Sequence, residues 1–275
     1  MIKAAAFTAL GMAAAFASVA AASKYWLKVE RYALKTPGLP GRGFKLLQIS
    51  DLHAYSLKKP RPNIWRAVAR LDFDAVMLTG DMIRADYEQL MPHLPYIRAL
   101  CARAPVFFAE GNHELRHGYG TKELLEQCGV VTLYNERVQA VLNGVAVDII
   151  GLRDYGWFKA ESRRNPRCKS AVRDGLFSDT ARRFTIVLCH QPQLFEAFAG
   201  SGADLTLAGH THGGQVRLPF LPVLYAPGQG LLPRYGTGFY RAGKSLMYVS
   251  GGVGATVFSL RLFNRPSVAV FEIGV

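Results

Sequence analysis

Five short motifs in this chain bring together residue types that can hold metal ions. They are Asp51-Leu52-His53, Gly80-Asp81, Gly111-Asn112-His113-Glu114, a lone His190, and Gly209-His210-Thr211-His212. Five of the seven histidines sit in them; His93 and His117 are the other two. Hard carboxylate and amide oxygens combined with borderline imidazole nitrogens suit manganese first, with iron or zinc as alternatives, and do not suit a thiolate site. Asp51, His53, Asp81 and His212 make a ligand set for one divalent ion. Asp81, Asn112, His190 and His210 make a set for a second. Asp81 bridges the two, because a carboxylate offers two oxygens and about four lone pairs. Two-metal sites hold their ions about 3.5–4 Å apart and clamp the attacking and leaving oxygens of an in-line displacement. Water between two cations loses its proton readily; a single zinc ion can bring that pKa to about 7. His113 is left without a metal beside Asn112, where it can protonate or hydrogen-bond a leaving-group oxygen. No residue is assigned to the rest of a substrate.

Each motif alone has a plainer reading. Gly-Asp after a strand is usually a turn, Gly-Asn-His suits a left-handed turn, and a lone histidine is usually a satisfied core residue. His210 and His212 are more specific, because alternate residues on a strand end share a face. The combination is decisive, because every motif closes a short apolar run that reads as a buried strand. Those runs are residues 44–50, 75–79, 105–109, 184–189 and 204–208. In open α/β sheets, ligands bind beyond the carboxyl ends of the strands. Positions spread over about 160 residues therefore converge in space.

The elements between the motifs alternate. Residues 38–43 are rich in proline and glycine and read as a linker. Residues 62–71 and 86–102 read as helices, and Thr121 caps a further helix that stops at Gly129. Strands are expected at 130–134, 138–142 and 145–151, with Asn143-Gly144 as a hairpin turn between the last two. More strands are expected at 215–218, 245–250 and 268–273. Alternation first and strands later fit two sheets packed face to face with helices outside.

The order of the motifs resembles the calcineurin-like metallophosphoesterase superfamily, over roughly residues 44–273. The resemblance implies an α/β fold, a four-layer αββα sandwich with a dinuclear metal site at strand ends, and hydrolysis of phosphate esters or anhydrides. Glu114 departs from the family, which usually has aspartate there, but the charge is kept. Residues 209–215, together with a hydrophobic N-terminus, resemble a membrane-associated bacterial branch that includes UDP-2,3-diacylglucosamine pyrophosphatases of lipid A synthesis. The preferred substrate on this reading is a membrane-linked pyrophosphate. The alternatives are a phosphodiesterase acting on a soluble nucleotide or phosphoester, and a metallophosphoesterase fold kept as a binding scaffold. A scaffold has no need of His113.

Composition agrees with one catalytic domain. The chain has 275 residues, half of them hydrophobic, and a net charge of +13. The expected division is an N-terminal hydrophobic segment at 1–23, a linker at 24–43 and the catalytic domain at 44–275. The positive balance suits an anionic partner: an anionic membrane surface or a lipid-linked substrate. No nucleic-acid-binding motif and no feature that marks a protein partner stand out. Residues 4–22 are uncharged and alanine-rich, just long enough to span a bilayer. A cleaved signal peptide ending near Ala20-Ala21-Ala22, leading to secretion, and a buried helix are the rivals. Lys24, Lys28, Arg31 and Lys35 follow the segment, which places the catalytic domain on the cytoplasmic face of the inner membrane. Cys101, Cys128, Cys168 and Cys189 lack metal or redox spacing and read as reduced thiols. Two further segments bear on the substrate. Residues 159–183 carry eight Lys/Arg against three Asp/Glu and read as a solvated loop or a phosphate contact. Residues 216–235 are apolar and proline-rich and read as a packed loop or an acyl-chain patch. Tyr155, Trp157 and Phe158 suit either the same mouth or the core.

Overall fold

The computed structural model describes residues 26–37, 39, 41–54, 62–178, 182–214, 223–254 and 264–274. Two six-stranded sheets dominate it. The first sheet holds β1 (Lys28–Leu34), β2 (Phe44–Ile49), β3 (Ala75–Thr79), β4 (Val106–Ala109) and β5 (Val131–Leu133). The second holds β6 (Glu136–Leu142), β7 (Val145–Gly151), β8 (Phe184–Leu188) and β9 (Leu205–Ala208). A small hairpin of β10 (Tyr225–Ala226) and β11 (Gly230–Leu231) stands apart. The second sheet is completed by β12 (Gly238–Ala242) and β13 (Ser245–Val249), and the first by β14 (Ser267–Ile273). The strand orders are β1-β14-β2-β3-β4-β5 and β12-β13-β9-β8-β7-β6. Strands β2 to β5 run parallel, as do β7, β8, β9 and β13, so their carboxyl ends form one rim in each sheet.

Strand alternation builds the layers. Leu46, Met77, Phe107 and Phe271 point from the first sheet into a core shared with Val147, Ile149, Ile186, Leu188 and Tyr248 of the second. Leu47, Ile49, Leu78 and Phe108 face the other way, onto the helices α1 (Pro62–Ala69) and α2 (Leu94–Cys101). The outer face of the second sheet, with Ile150, Val187 and Met247, packs on α5 (Tyr155–Arg164), α6 (Cys168–Leu176) and α7 (Phe195–Phe198). Short helices α3 (Asn112–His117) and α4 (Thr121–Glu126) follow β4. Three apolar layers therefore separate four layers of structure, the αββα arrangement expected from the motifs. Strands buried on both faces explain why 75–79 reads as an unbroken apolar run.

Several expectations are corrected. Residues 28–34, inside the segment read as a linker, form β1, which pairs in parallel with β14. Its Tyr32 and Leu34 pack on the inter-sheet core and its Val29 on the helix side, but Lys28, Glu30 and Arg31 interrupt the apolar pattern, so its average composition hides it. The span 86–102 is not one helix. A 3₁₀ segment, Tyr87–His93, contains Pro92 and precedes α2, whose first turn holds Pro95; proline lacks the N–H that a continuous helix needs. The residue capping α4 is Gly120, and Thr121 is its first helical residue. The basic segment is largely helical, forming most of α5 and all of α6 rather than a loop. The strand read at 215–218 lies outside the described residues, as do residues 4–22.

The inner-membrane location with a cytoplasmic catalytic face is also corrected. Among the described residues, no helix is long and apolar enough to cross a membrane. The longest described helix, α5, has 10 residues, about 15 Å at 1.5 Å per residue, against a hydrocarbon core about 30 Å thick.

Candidate metal centre

All five motifs meet at the shared rim. Asp51 and His53 follow β2, Asp81 follows β3, Asn112 and His113 follow β4, His190 follows β8, and His210 and His212 follow β9. The loops are laced across the two sheets by main-chain bonds. Asp51 N–H donates to Gly80 O (3.0 Å), His53 N–H to Asp81 O (3.0 Å), and Gly209 N–H to His190 O (2.9 Å). Gln48, buried on β2, donates through Nε2 to Thr79 Oγ1 and to Ala208 O, both at 2.9 Å, and so ties the first sheet to the second below the site.

Glycine is required where motifs touch. A Cβ on Gly111 would lie 2.2 Å from Asp81 Oδ1, one on Gly209 1.9 Å from Ser50 Oγ, and one on Gly80 2.6 Å from His190 Nδ1. Backbone strain concentrates on the ligands themselves. Asp51 (φ 52°), His53 (42°), Asp81 (53°), His210 (71°) and His212 (50°) all sit in the left-handed region. That region costs an L-residue roughly 1–2 kcal/mol and, away from glycine and turns, marks functional sites.

The resulting cluster has two close groups of ligand atoms. His53 Nε2 and His212 Nε2 are 3.0 Å apart, and His212 Nε2 is 3.4 Å from Asp51 Oδ1. On the other side, His190 Nε2 is 3.1 Å from Asp81 Oδ2. Asp81 Oδ2 also lies 3.8 Å from His53 Nε2, so this carboxylate is close to both groups and would be available to either ion. Ligand atoms of Asp51, His53 and His212 lie within 4.8 Å of one another, as do those of Asp81, His190 and His210. Asn112 Oδ1 and His210 Nε2 are buried and make no hydrogen bond. Orphaned inward-facing acceptors are costly in a dry interior, and a pair of cations would satisfy them. His190 Nδ1 is paired with Thr79 O at 2.8 Å, which fixes the ring and leaves Nε2 for an ion. The residues fit two divalent ions.

His113 stands at the edge and is partly exposed. Its Nδ1 is bonded to Arg84 O, and its Nε2 faces the cluster 3.9 Å from Asp81 Oδ2. With His53 and Asp81 it makes a third close group of ligand atoms, so position alone permits either a metal or a leaving-group role.

Burial drives the protonation pattern. It pushes Asp51 up to about 6, although His190 opposes it, and Glu114 up to about 7, helped by the charge of Asp81. It pushes His53 down to about 4 and His210 down to about 3. Asp81 and His190 escape this rule together. Burial disfavours both charges, but their mutual attraction holds the carboxyl well below its usual range and the imidazole well above its own.

Three supporting residues were not legible as such. Glu114 is not idle: Oε2 accepts from Asp81 N–H and Gly111 N–H (both 2.8 Å) and Oε1 from Ile83 N–H (3.0 Å). The longer carboxylate that departs from the family pattern thus holds two ligand loops. Asn264 donates through Nδ2 to His212 O, and its Oδ1 fills the space a side chain on Gly213 would need. Asp154, fully buried at the end of β7, accepts from Gly156 N–H and from Gln191 Nε2. Glu114 is signalled by its place in the motif; Asn264 and Asp154 stand in no motif. Of the aromatic residues weighed for the mouth, Phe158 is core, Trp157 packs under Arg153 and Tyr155 under Lys169. In the basic segment, Arg183 pairs with buried Asp148, which Arg137 also reaches, beside a cavity of about 310 Å³ lined by residues such as Leu176, Asp204 and Lys244. That cavity opens near the amino ends of β8 and β9, away from the metal cluster.

Comparison with known proteins agrees with this geometry. The calcineurin-like phosphoesterase family matches residues 44–214. The chain is 30% identical over 239 residues to an uncharacterized metallophosphoesterase, YkuE, of Bacillus subtilis, covering 84% of this chain and 79% of that protein. It is 29% identical over 258 residues to the phosphodiesterase YaeI of Escherichia coli, covering 90% and 88%. Among solved structures it is similar to a phosphopantetheinyl hydrolase from Mycobacterium tuberculosis, at 14% identity and a TM-score of 0.48, covering 80% and 96%. Fold, motifs and relatives agree: the chain belongs to the calcineurin-like metallophosphoesterase family of metal-dependent hydrolases.

Proposed function

We propose that the chain hydrolyses a phosphodiester or pyrophosphate bond in a lipid-linked substrate, with manganese as the resident metal. When bound, the two ions neutralise phosphate charge and acidify water. The protein's own groups do the rest. His113, with Nδ1 fixed to the Arg84 carbonyl, turns Nε2 toward the cluster and gives its proton to the leaving oxygen. Glu114 and Asn264 hold the ligand loops in register. The donor set of three carboxylate or amide oxygens and four imidazoles suits manganese, iron or zinc.

The observation behind the lipid-linked substrate is the β10–β11 hairpin. Leu224 (40% exposed), Tyr225 (50%), Leu231 (80%) and Leu232 (73%) present apolar surface to solvent. The turn of the same hairpin reaches the site: a Cβ on Gly228 would lie 2.9 Å from His210 Nε2. An apolar patch on a hairpin whose turn meets a ligand histidine suits a substrate with an acyl or prenyl tail. The net charge of +13 favours an anionic lipid surface around it. Phe220 and Leu221, part of the same apolar stretch, lie outside the described residues.

The test compares two substrates in detergent micelles, with manganese supplied. One is a water-soluble nitrophenyl diester, the other a lipid-linked pyrophosphate. Replacing Leu231→Asp and Leu232→Asp together should lower kcat/KM on the lipid-linked substrate at least tenfold while sparing the soluble diester. Equal effects on both would favour a soluble phosphodiester, a reading to which the relative YaeI gives weight.

A further inference from the structure

The basic segment ends in Arg182 and Arg183, and neither has a part in the metal centre. Both line instead the cavity of about 310 Å³ on the outer side of the second sheet. Thr185 and Asp204, at the amino ends of β8 and β9, stand in its wall. The metal ligands follow the opposite ends of the same strands. Thr185 is five positions before His190, roughly 16 Å along a chain that rises about 3.3 Å per residue. A molecule held in the cavity therefore sits away from the reacting bond.

The wall combines an apolar floor with a ring of charge. Ile150, Leu176 and Phe177 belong to the outer apolar layer and form the floor. Among the described residues, four cations and two carboxylates surround it, a net charge of +2. Asp148, 2% exposed, gathers two of the cations. Arg137 Nη2 donates to its Oδ2 at 2.7 Å, and Arg183 Nε donates to Oδ1 and Oδ2, both at 3.1 Å. Arg137 Nη1 also donates to Leu176 O at 3.2 Å. A buried carboxylate thus orients two guanidinium planes whose side chains stay 18% and 22% exposed. The second carboxylate, Asp204, accepts from Thr185 N–H at 2.9 Å and stands 3.9 Å from Arg182. Arg182 and Lys244 are exposed at the edge.

We propose that this cavity is a non-catalytic binding site for a small phosphate monoester with an apolar body. Charge selects the head group. A phosphate monoester carries about −1.5 to −2 at pH 7 and so matches the +2 of the described lining, whereas a carboxylate brings a single charge. The planar fork of arginine also fits phosphate oxygens in pairs. The floor of Ile150, Leu176 and Phe177 favours an organic ester over free phosphate, because apolar surface of the ligand leaves water there. Volume limits the body. Small-molecule pockets run from about 300 to 1,000 Å³, so this one has room for a head group and about one ring.

The experiment titrates phenylphosphonate, whose P–C bond resists hydrolysis, into the metal-loaded full-length protein and again after chelation. Calorimetry at about pH 8, where the ligand is a dianion, reads the affinity. Binding should survive chelation and be about tenfold or more tighter than that of benzoate or inorganic phosphate. Arg182→Gln with Lys244→Gln, both at exposed positions, should weaken it about tenfold or more. Ser201→Trp, on the loop that forms part of the wall, should block it by filling the space. Melting curves without ligand should match wild type for the double variant, so that a lost site is told from a lost fold. No step depends on turnover, so the outcome is independent of the hydrolytic reading. Absence of chelation-resistant binding in wild type, or unchanged affinity in both variants, overturns the proposal. Equal binding of inorganic phosphate or benzoate would mean that the cavity does not select a phosphate monoester, and would also overturn it.

Discussion

Replacing His210 by glycine should give a more stable metal-free protein than replacing it by alanine, against the usual order of those residues. Both changes remove the same buried imidazole, whose Nε2 has no hydrogen-bond partner, so the cavity and the lost ligand cancel in the comparison. What remains is the backbone. At φ 71° an alanine bears a left-handed cost of roughly 1–2 kcal/mol that glycine does not. Against this, glycine loses about 0.5–1 kcal/mol of additional chain entropy on folding. The balance favours glycine by about 1 kcal/mol, or about 2–4 °C in Tm for a domain of this size. His190 provides the internal control, since it is not among the residues with positive φ. There glycine should be worse than alanine by about 0.5–1 kcal/mol. The assay is calorimetry on all four variants after exhaustive chelation, because bound ions stabilise the native state by mass action and would mask the backbone contribution. Alanine equal to or better than glycine at both positions would refute the claim that the ligands are held under backbone strain.

Three other outcomes are expected. Asp81→Ala should remove a ligand from both ions and abolish activity, whereas Asp51→Ala should deplete one ion preferentially; two tightly bound ions by elemental analysis in the Asp81 variant would contradict the bridge. His113→Ala should slow turnover by about 10²–10⁴-fold, and less for nitrophenyl than for alkyl leaving groups, since a good leaving group needs no proton; equal losses for the two would rule out proton donation. His93, fully buried with Nδ1 accepting from Trp65 Nε1 at 3.2 Å, is held down at about 4 by burial. The folded state then binds fewer protons than the unfolded state between pH 6.5 and 4, so this contribution is complete above pH 6.5 and is lost on acidification, by at most about 3 kcal/mol. His93→Gln, which keeps an acceptor for Trp65 without titrating, should flatten the fall of Tm across that window; an unchanged slope would show that His93 is not its source.

The reaction centre was legible in the sequence because each ligand closes an apolar strand, and a strand buried on both faces announces itself without any partner. The runs at 75–79 and 184–188 are of this kind. The elements that escaped are those whose burial is lopsided or whose shape depends on distant groups. In β1, Glu30 and Arg31 interrupt the apolar pattern, yet Glu30 meets the Tyr248 hydroxyl of the opposite sheet. In α5 and α6 only Phe158, Cys168 and Leu176 are buried, too few to mark a helix among so many basic residues. Asn264 reaches His212 from 52 positions away, and Asp154 reaches Gln191 from 37. Neither link leaves a local trace, because the contact exists only after both sheets have formed. The hydropathy of residues 4–22 points to a membrane location that the described helices do not support.

The same geometry explains why such a centre needs three apolar layers beneath it. Burial disfavours every charge in the cluster: Asp51 and Glu114 are pushed up, His53 and His210 down. Only Asp81 and His190 keep opposite charges, each through the other, at 3.1 Å. A divalent ion held by His190 Nε2 would need that nitrogen unprotonated, so metal binding there is linked to proton release. The five left-handed ligands add backbone strain, tolerated because the packed sheets leave the loops no other course. Strain and an unpaired imidazole nitrogen at the rim, with stability supplied by the layers below, divide the molecule into a site under local cost and a scaffold that bears it.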